Sequence, residues 1–425
     1  VAAHRTRLPL AIAVAVVAAG AATLLLRPRD GLIEPAAVNA TAYFSAAELE
    51  RASDFRDLQQ ILGLAGTALA GLTVAVIALR PPRRLRVAIE RAQRRPLLGA
   101  AALAAGIGVG VAIIELPLSI WRHERAVDFG LSTQSFGPWI ADVAKATAVG
   151  AVYAAIAGLL AMALIRRFPR NWWGPGAVLV IAAAAVMLYL QPIVVDPLFN
   201  RFEPLPRGEL RSEVLRLADR AGVDVGEVYR VDASRRTNAI NAYVGGLGHT
   251  KRVVLYDNLI EDFPPAQVRS VVAHELGHVK HHDVPYGLLW VALVAPAGTF
   301  LVQRLAERFA RGALDGPAKP GPNALPAVIL AFALVSFALT CAGNVLSRQV
   351  EARADAFALE LTREPDAFIE LERSLAIRNI GDPDPPRLLQ DLFGTHPTTL
   401  ERIGYGVTFQ ENRARGPIGQ PQRVR

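Results

Sequence analysis

His274-Glu275-Leu276-Gly277-His278 sets two imidazoles four positions apart with a carboxylate between them. At about 100° per residue both histidines fall on one face of a helix, one turn apart, so both can bind a single divalent ion. Glu275 then stands beside the open coordination position, where it can take a proton from a water whose pKa the ion has lowered towards 7. This is a hydrolase arrangement, with Glu275 as general base. Val271, Val272 and Ala273 just ahead give the same helix an apolar back.

Two histidines leave a tetrahedral catalytic site one protein ligand short. Downstream, in Ser347-Arg348-Gln349-Val350-Glu351-Ala352-Arg353-Ala354-Asp355, Glu351 and Asp355 lie four apart on one helical face. Glu351 can ligate while Asp355 orients a ligand histidine. An ordinary amphipathic helix with its acids and bases on the wet side is the alternative. His249, His281 and His282 read as solvated or headgroup-facing. The single Cys341 excludes an intramolecular disulfide and cysteine-held clusters, so a metal must rest on His, Asp or Glu. Two histidines and a glutamate favour one Zn²⁺ per chain.

The elements that must carry these residues are mostly apolar. The 425 residues are 52% hydrophobic and 20% charged, with a mean hydropathy of +0.29, which points to a membrane rather than a soluble domain. Runs long enough to cross hydrocarbon occur near 8–26, 58–79, 97–121, 138–165, 173–194, 286–306 and 324–345. The expected class is mainly α: a polytopic membrane protein of about seven transmembrane helices with a small α+β metalloprotease module split around the last two. Five spans fill 1–194, a soluble part with the HExxH helix 195–285, two spans 286–346, and a second soluble part with the third ligand 347–410. A basic, disordered tail is expected over 411–425. The first run reads as an uncleaved anchor, a cleaved signal peptide being the alternative. Between His278 and Glu351 the chain crosses the membrane twice, so the two polar stretches return to one side and can meet.

Within the soluble part, Leu210 to Ala221 and Pro265 to Lys280 have helical periodicity, and Glu227 to Val231 and Arg252 to Tyr256 alternate like strands. The net charge of +8 suits either nucleic acid or anionic lipid, and position decides. The densest basic cluster, Arg80 to Arg95, lies in a short loop between spans, so it faces headgroups and no nucleic-acid partner is expected. Glu115, Asp142 and Lys145 fall inside spans, as a structural pair or interface residues, or else along a proton or ion path.

The sequence resembles the integral-membrane zinc metalloproteases that include the type I CAAX prenyl proteases and, more distantly, HtpX. The likeness begins near Tyr43 and runs in order through Asp196-Pro197-Leu198-Phe199-Asn200, Phe202-Glu203-Pro204-Leu205-Pro206, Ser234-Arg235-Arg236-Thr237 and Asn241-Ala242-Tyr243. It continues through Gly246-Leu247-Gly248, Thr250 to Asp257, the HELGH segment, Glu351 with Ala354-Asp355, and His396-Pro397 with Glu401-Arg402. It implies that His274, His278 and Glu351 bind zinc, that Glu275 is the base and that Asp355 supports the site. It further implies that Asn241, Ala242 and Tyr243 lie on an edge strand that pairs with an extended peptide. His396 would act near the scissile carbonyl, and Arg402 would anchor its loop or a substrate carboxylate. The implied architecture is a helical chamber within the membrane.

The expected activity is hydrolysis of extended peptides by a membrane-embedded zinc endopeptidase of this type. HtpX-like quality control of membrane proteins and a non-catalytic zinc-containing scaffold or transporter are the alternatives. The expected partners are a peptide or protein substrate, lipidated or membrane-associated, and membrane lipids. An Ala- and Arg-rich, Lys-poor composition reads as bacterial, hence a multi-pass protein of an inner or plasma membrane whose physiological substrate is open. Two signals for orientation disagree. Short segments on one side (the N-terminal end, 80–95, 166–170 and 308–319) carry 15 Lys and Arg, against 6 in 27–57 and 122–137. The positive-inside rule then places the catalytic part outside, whereas the resemblance implies an active site facing the cytosol.

Overall fold

The computed structural model describes residues 7–245, 252–310, 313–314 and 320–415. Five long helices come first: α1 (Arg7–Leu26), α2 (Ala46–Leu79), α3 (Pro96–Asp128), α4 (Phe136–Arg167) and α5 (Trp173–Leu190). The mixed module follows, with β1 (Phe202–Pro204), α6 (Glu209–Ala221), β2 (Glu227–Val231), β3 (Ala242–Gly245), β4 (Arg252–Tyr256) and α7 (Pro265–Lys280). Then come α8 (Asp283–Phe309), α9 (Leu325–Thr362), α10 (Pro365–Arg378), α11 (Arg387–Phe393) and α12 (Thr399–Ala414). Seven helices among the described residues are long and apolar enough to cross a membrane, as the hydropathy runs predict.

Several of them exceed the hydrocarbon. At 1.5 Å per residue, the 34 residues of α2 and 38 of α9 reach about 51 and 57 Å, against a core of about 30 Å. The excess projects on one side and becomes part of the module. In α9 that projecting end carries Glu351 and Asp355, so the third candidate ligand is rigidly continuous with a span. Where spans meet, small residues let backbones approach. A side chain on Gly158 of α4 would lie 2.6 Å from the Ala104 Cβ and 2.8 Å from the Ala100 carbonyl of α3.

The sheet has the order β1-β2-β4-β3, with β2 and β4 parallel and both outer strands antiparallel to their neighbours. Val228, Val253 and Leu255 from its centre pack with Val214 and Leu217 of α6 and with Val268, Val272 and Leu276 of α7. This core fixes α7 across the sheet beside its β3 edge.

The stretch between α1 and α2 and the first turns of α2 are also part of the module. Phe44 packs with Ala376 and Ile403, Ala36 N–H donates to the Gly404 carbonyl (3.1 Å), and Arg56 donates to the carbonyls of Ile380 and Asn379 (2.6 and 2.7 Å). The expected disordered tail starts too early: α12 runs to Ala414, its start closed by a Thr398–Glu401 capping box and its end held where Arg413 donates to the Arg363 carbonyl (2.8 Å). The remaining 416–425, like Gly246-Leu247-Gly248, His249 and Thr250-Lys251, lies outside the described residues. Of the charges inside the spans, Asp142 and Lys145 form a structural tie. Asp142 accepts from Lys145 (2.8 Å), Gln134 (2.7 Å) and Arg236 of the module (2.9 Å), while Arg236 also reaches Asn200 (2.6 Å).

Candidate metal centre

Three elements meet at the HELGH segment: α7, the projecting end of α9, and the turn before α12. Gly277 makes the first contact close, because a Cβ there would sit 3.2 Å from Phe357 and 3.3 Å from the Ala354 Cα. The α7 backbone therefore lies against α9 one turn from Glu351. His274 and Glu351 are 3.1 Å apart (Nε2 to Oε2), the two histidine Nε2 atoms 3.2 Å, and His278 Nε2 and Glu351 Oε2 3.6 Å.

The other nitrogen of each ring is already committed. His274 Nδ1 lies 2.8 Å from Asp355 Oδ1, and His278 Nδ1 lies 2.9 Å from Asp283 Oδ2. A proton on each Nδ1 satisfies these carboxylates and leaves both Nε2 atoms as bare lone pairs. Once each ring has given up its second proton, two such lone pairs and a carboxylate oxygen converge on one point. The spacing fits a metal: four-coordinate ligands held at 2.0–2.2 Å stand about 3.3–3.6 Å apart. Among the described residues, these three are the group of side chains able to share an ion. His281 stands edge-on to Phe357 at 5.7 Å and His282 turns to the Val279 carbonyl, so neither joins it.

A buried chain of charge stands behind His274. Asp355 is fully buried and accepts two bonds from Arg402 (2.8 and 2.6 Å), whose other arm pairs with Glu372 at 2.7 Å. Arg402, expected at the loop or at a substrate carboxylate, has its guanidinium engaged by these two acids. Behind His278, Asp283 is held in turn by Arg353. Burial works against a charged His278, but the hydrogen bonds it donates to Asp283 and Glu351 outweigh it and raise its pKa to about 9. Burial likewise opposes charge on His274, and Asp355 with Glu351 reverses it, so its pKa too lies well above the ordinary value.

Glu275 faces a cavity of about 200 Å³ lined also by Ile240, Asn241, Ala242, Leu371 and His396. Burial pushes its carboxyl above the usual carboxylate range, against the pull of both histidines, and the Val244 main chain hydrogen-bonds to it. Ala242 and Tyr243 lie on β3, at the edge of the sheet, and Asn241 immediately precedes it, its Oδ1 accepting from the Ala242 N–H (2.9 Å). His396 puts Nε2 3.2 Å from Glu351 Oε2 with Nδ1 beside the Thr395 hydroxyl (2.9 Å), on a side chain that stays about half exposed.

Comparison with known proteins agrees with this geometry. The model of peptidase family M48 matches residues 204–405, and that described as the CAAX prenyl protease N-terminal region, five membrane helices, matches 42–201. A CAAX prenyl protease 1 homolog of Oryza sativa subsp. japonica is 31% identical over 322 residues, 72% of this chain and 73% of its own. The chain belongs to peptidase family M48. Within the family it is similar to the uncharacterized metalloprotease YhfN of Bacillus subtilis (29% identity; 85% and 86% of the two chains). It is similar as well to CAAX prenyl protease 1 of Saccharomyces cerevisiae (28% identity; 68% of each). The fold matches the crystal structure of S. mikatae Ste24p with a TM-score of 0.68 over 94% of this chain and 98% of that one, at 20% identity. This M48 member is thus a multi-pass membrane metalloprotease of the CAAX prenyl protease type, as its residue pattern implied.

The residues that sequence reasoning missed are the supports. Asp283 follows His278 by five positions, and only the left-handed backbone of His282 (φ 59°) turns the chain so that it meets that ring. Glu372 and Arg353 are ordinary charges on helices, with no motif to mark them. A carboxylate just beyond the second histidine was the one signal available.

Proposed function

We propose that this chain is a zinc endopeptidase that cleaves extended peptide segments at the membrane surface, with His274, His278 and Glu351 as the metal ligands. The convergence of two histidine Nε2 atoms and one carboxylate oxygen, 3.1–3.6 Å apart, beside Glu275 is the observation that carries this reading. The donor set of two imidazoles and one carboxylate suits Zn²⁺ with a position left open for reaction. Zinc, when bound, supplies Lewis acidity towards the scissile carbonyl and makes water a usable nucleophile near neutral pH.

Glu275 takes the proton from the attacking water at its carboxylate and delivers it to the leaving amine nitrogen. Its raised pKa brings it nearer the pH at which accepting and returning a proton are both efficient. The β3 edge aligns the substrate main chain as an added strand, which demands extension and little sequence. His396 offers an imidazole N–H towards the carbonyl oxygen as negative charge develops there. Asp355 and Asp283 hold the two ligand rings in the required tautomer, and Arg402 positions Asp355.

The working domains on this reading are five spans over 1–194, a first catalytic part over 195–285, two spans over 286–346 and a second catalytic part from 347. The membrane is a bacterial inner or plasma membrane. Relatives named CAAX prenyl proteases make C-terminal prenylated peptides the first substrates to try. The test is cleavage of a quenched fluorescent peptide, with and without a farnesyl group, by detergent-purified protein of measured metal content. The wild type is expected to hold about one zinc per chain and to cleave, and Glu275→Gln to keep the zinc and lose about 10²–10⁴ in rate. Undiminished turnover in Glu275→Gln would refute the mechanism.

A further inference from the structure

The segment that leads into β3 is held from the side of the membrane bundle. Ile240 donates its N–H to the Asn379 side chain (2.9 Å to Oδ1), and both residues line the cavity that Glu275 faces. Asn379 closes α10 in a Schellman ending, in which the Gly381 N–H donates back to the Ala376 carbonyl (2.7 Å). Where glycine is usual in such an ending stands Ile380, with a left-handed backbone (φ 49°) that a β-branched side chain resists. This conformation persists only where its surroundings enforce it. Arg56 of α2 does so by donating to the carbonyls of both Ile380 (2.6 Å) and Asn379 (2.7 Å). The Ile380 side chain is buried and lines a small pocket with Phe44 and Leu49.

The loop between α3 and α4 holds the same segment slightly upstream. The Asn238 N–H and the Thr237 hydroxyl donate to the Leu131 carbonyl (2.9 and 3.0 Å), and the Asn238 amide to that of Gly130 (2.8 Å). From the module, Asn258 donates to the Thr237 and Ala239 carbonyls (3.2 and 3.0 Å). Asn379 takes the next residue, at the entrance to the strand. There the Asn241 carbonyl accepts from the Tyr256 N–H of β4 (3.2 Å), so it points into the sheet. By alternation the main-chain groups of Ile240 and Ala242 point outward, along the line where an added peptide strand pairs. The Ile240 N–H opens that row, and Asn379 fixes its place.

We propose that Asn379, held by Arg56, is a positioning residue for peptide hydrolysis: by fixing Ile240 it sets where the β3 edge lies relative to Glu275 and the metal ligands. Its effect passes through the main chain of 240–242, so that a membrane helix governs the placement of the substrate strand. The role rests on β3 being the substrate edge and Glu275 the base, as proposed above. A reacting group misplaced by about 1 Å loses on the order of 100-fold in rate. A shifted edge still pairs with an extended peptide, so binding survives while the chemical step slows.

The test uses the full chain, purified in detergent with zinc bound, and the quenched peptide. Asn379→Leu removes the acceptor at nearly constant size. It is expected to lower kcat about tenfold or more, with KM within about threefold of the wild type and zinc content unchanged. Asn379→Asp keeps the Oδ1 acceptor and should hold kcat within about threefold. Arg56→Gln should act in the same direction as Asn379→Leu, and the double variant should be within about twofold of the slower single, because both work through one turn. Hydrogen exchange followed by mass spectrometry should be faster over 237–242 in Asn379→Leu and unchanged over α7. A kcat for Asn379→Leu within about twofold of the wild type overturns the proposal, as does Asn379→Asp being equally slow. Loosening of α7 along with 237–242 would mark Asn379 as a general structural support and overturn it too. Unchanged exchange over 237–242 overturns it without any cleavage being read, so failure here is distinct from failure of the protease assignment.

Discussion

Asp355→Asn isolates what a carboxylate that touches no substrate contributes. The substitution keeps the size and an acceptor oxygen but removes the charge from a fully buried position that faces His274 Nδ1 at 2.8 Å and two Arg402 nitrogens at 2.8 and 2.6 Å. Two effects follow and separate cleanly. Loss of the partner that fixes a ligand histidine costs about 10- to 100-fold in metal affinity, which is about 1.4–2.8 kcal/mol. Loss of one member of a buried ion pair costs about 3–5 kcal/mol of stability when the other is left uncompensated. Here Arg402 retains Glu372 at 2.7 Å, so the lower part of that range is expected. Metal affinity is read by competition with a chelator of known strength, and stability by thermal unfolding of metal-free protein in the same detergent. Arg402→Gln alone should lower stability with a smaller effect on metal affinity, and the double variant should lose less than the sum, because the two share one interaction. If Asp355→Asn binds zinc within twofold of the wild type, His274 is not held in its tautomer by this contact and the reasoning fails.

Asp283→Asn should weaken metal binding by a similar 10- to 100-fold through His278, and a chelator titration that leaves the wild-type value unchanged would remove Asp283 from the site. Metal affinity should also depend on pH: zinc takes neutral imidazoles, while His278 holds its proton up to about 9 and His274 is raised too, so ions must displace protons. Affinity is therefore expected to fall as pH drops below 9, about tenfold per pH unit from His278 and more steeply where His274 also takes up its proton, and a flat profile from pH 9 to 6 would contradict the raised values. Gly158→Val should cost about 1–3 kcal/mol by forcing α4 away from Ala100 and Ala104 of α3, measured as thermal unfolding in detergent. A variant as stable as the wild type would show that this helix pair is loosely packed.

The spans, the polar module split around the last two and the HELGH helix were legible because each rests on a local pattern: hydrophobic length, alternation of two, or a spacing of four on one turn. The strands Glu227–Val231 and Arg252–Tyr256 and the helix Pro265–Lys280 occupy the ranges their periodicity predicts. Where a local pattern was weak, the boundaries moved. The second helix begins at Ala46 rather than 58, because a Ser45–Glu48 capping box starts it in a polar stretch that hydropathy does not register as helix. The residues after 410 continue α12 for four more, held by a contact from Arg413 to Arg363, which lies far away in sequence.

The sequence by itself determined the chemistry available: two imidazoles, a base between them, and a third acid returned to the same side of the membrane by an even number of crossings. The tertiary structure alone decided which acids serve which rings. Asp283 reaches His278 through a left-handed residue at a helix junction, Arg402 and Glu372 meet Asp355 only because α9, α10 and α12 pack together, and Gly277 sets how close α7 approaches Glu351. Spacing along one helix is fixed by covalent geometry and is readable from the chain. Distances between helices depend on how buried side chains fill the space between them, and no local pattern encodes that.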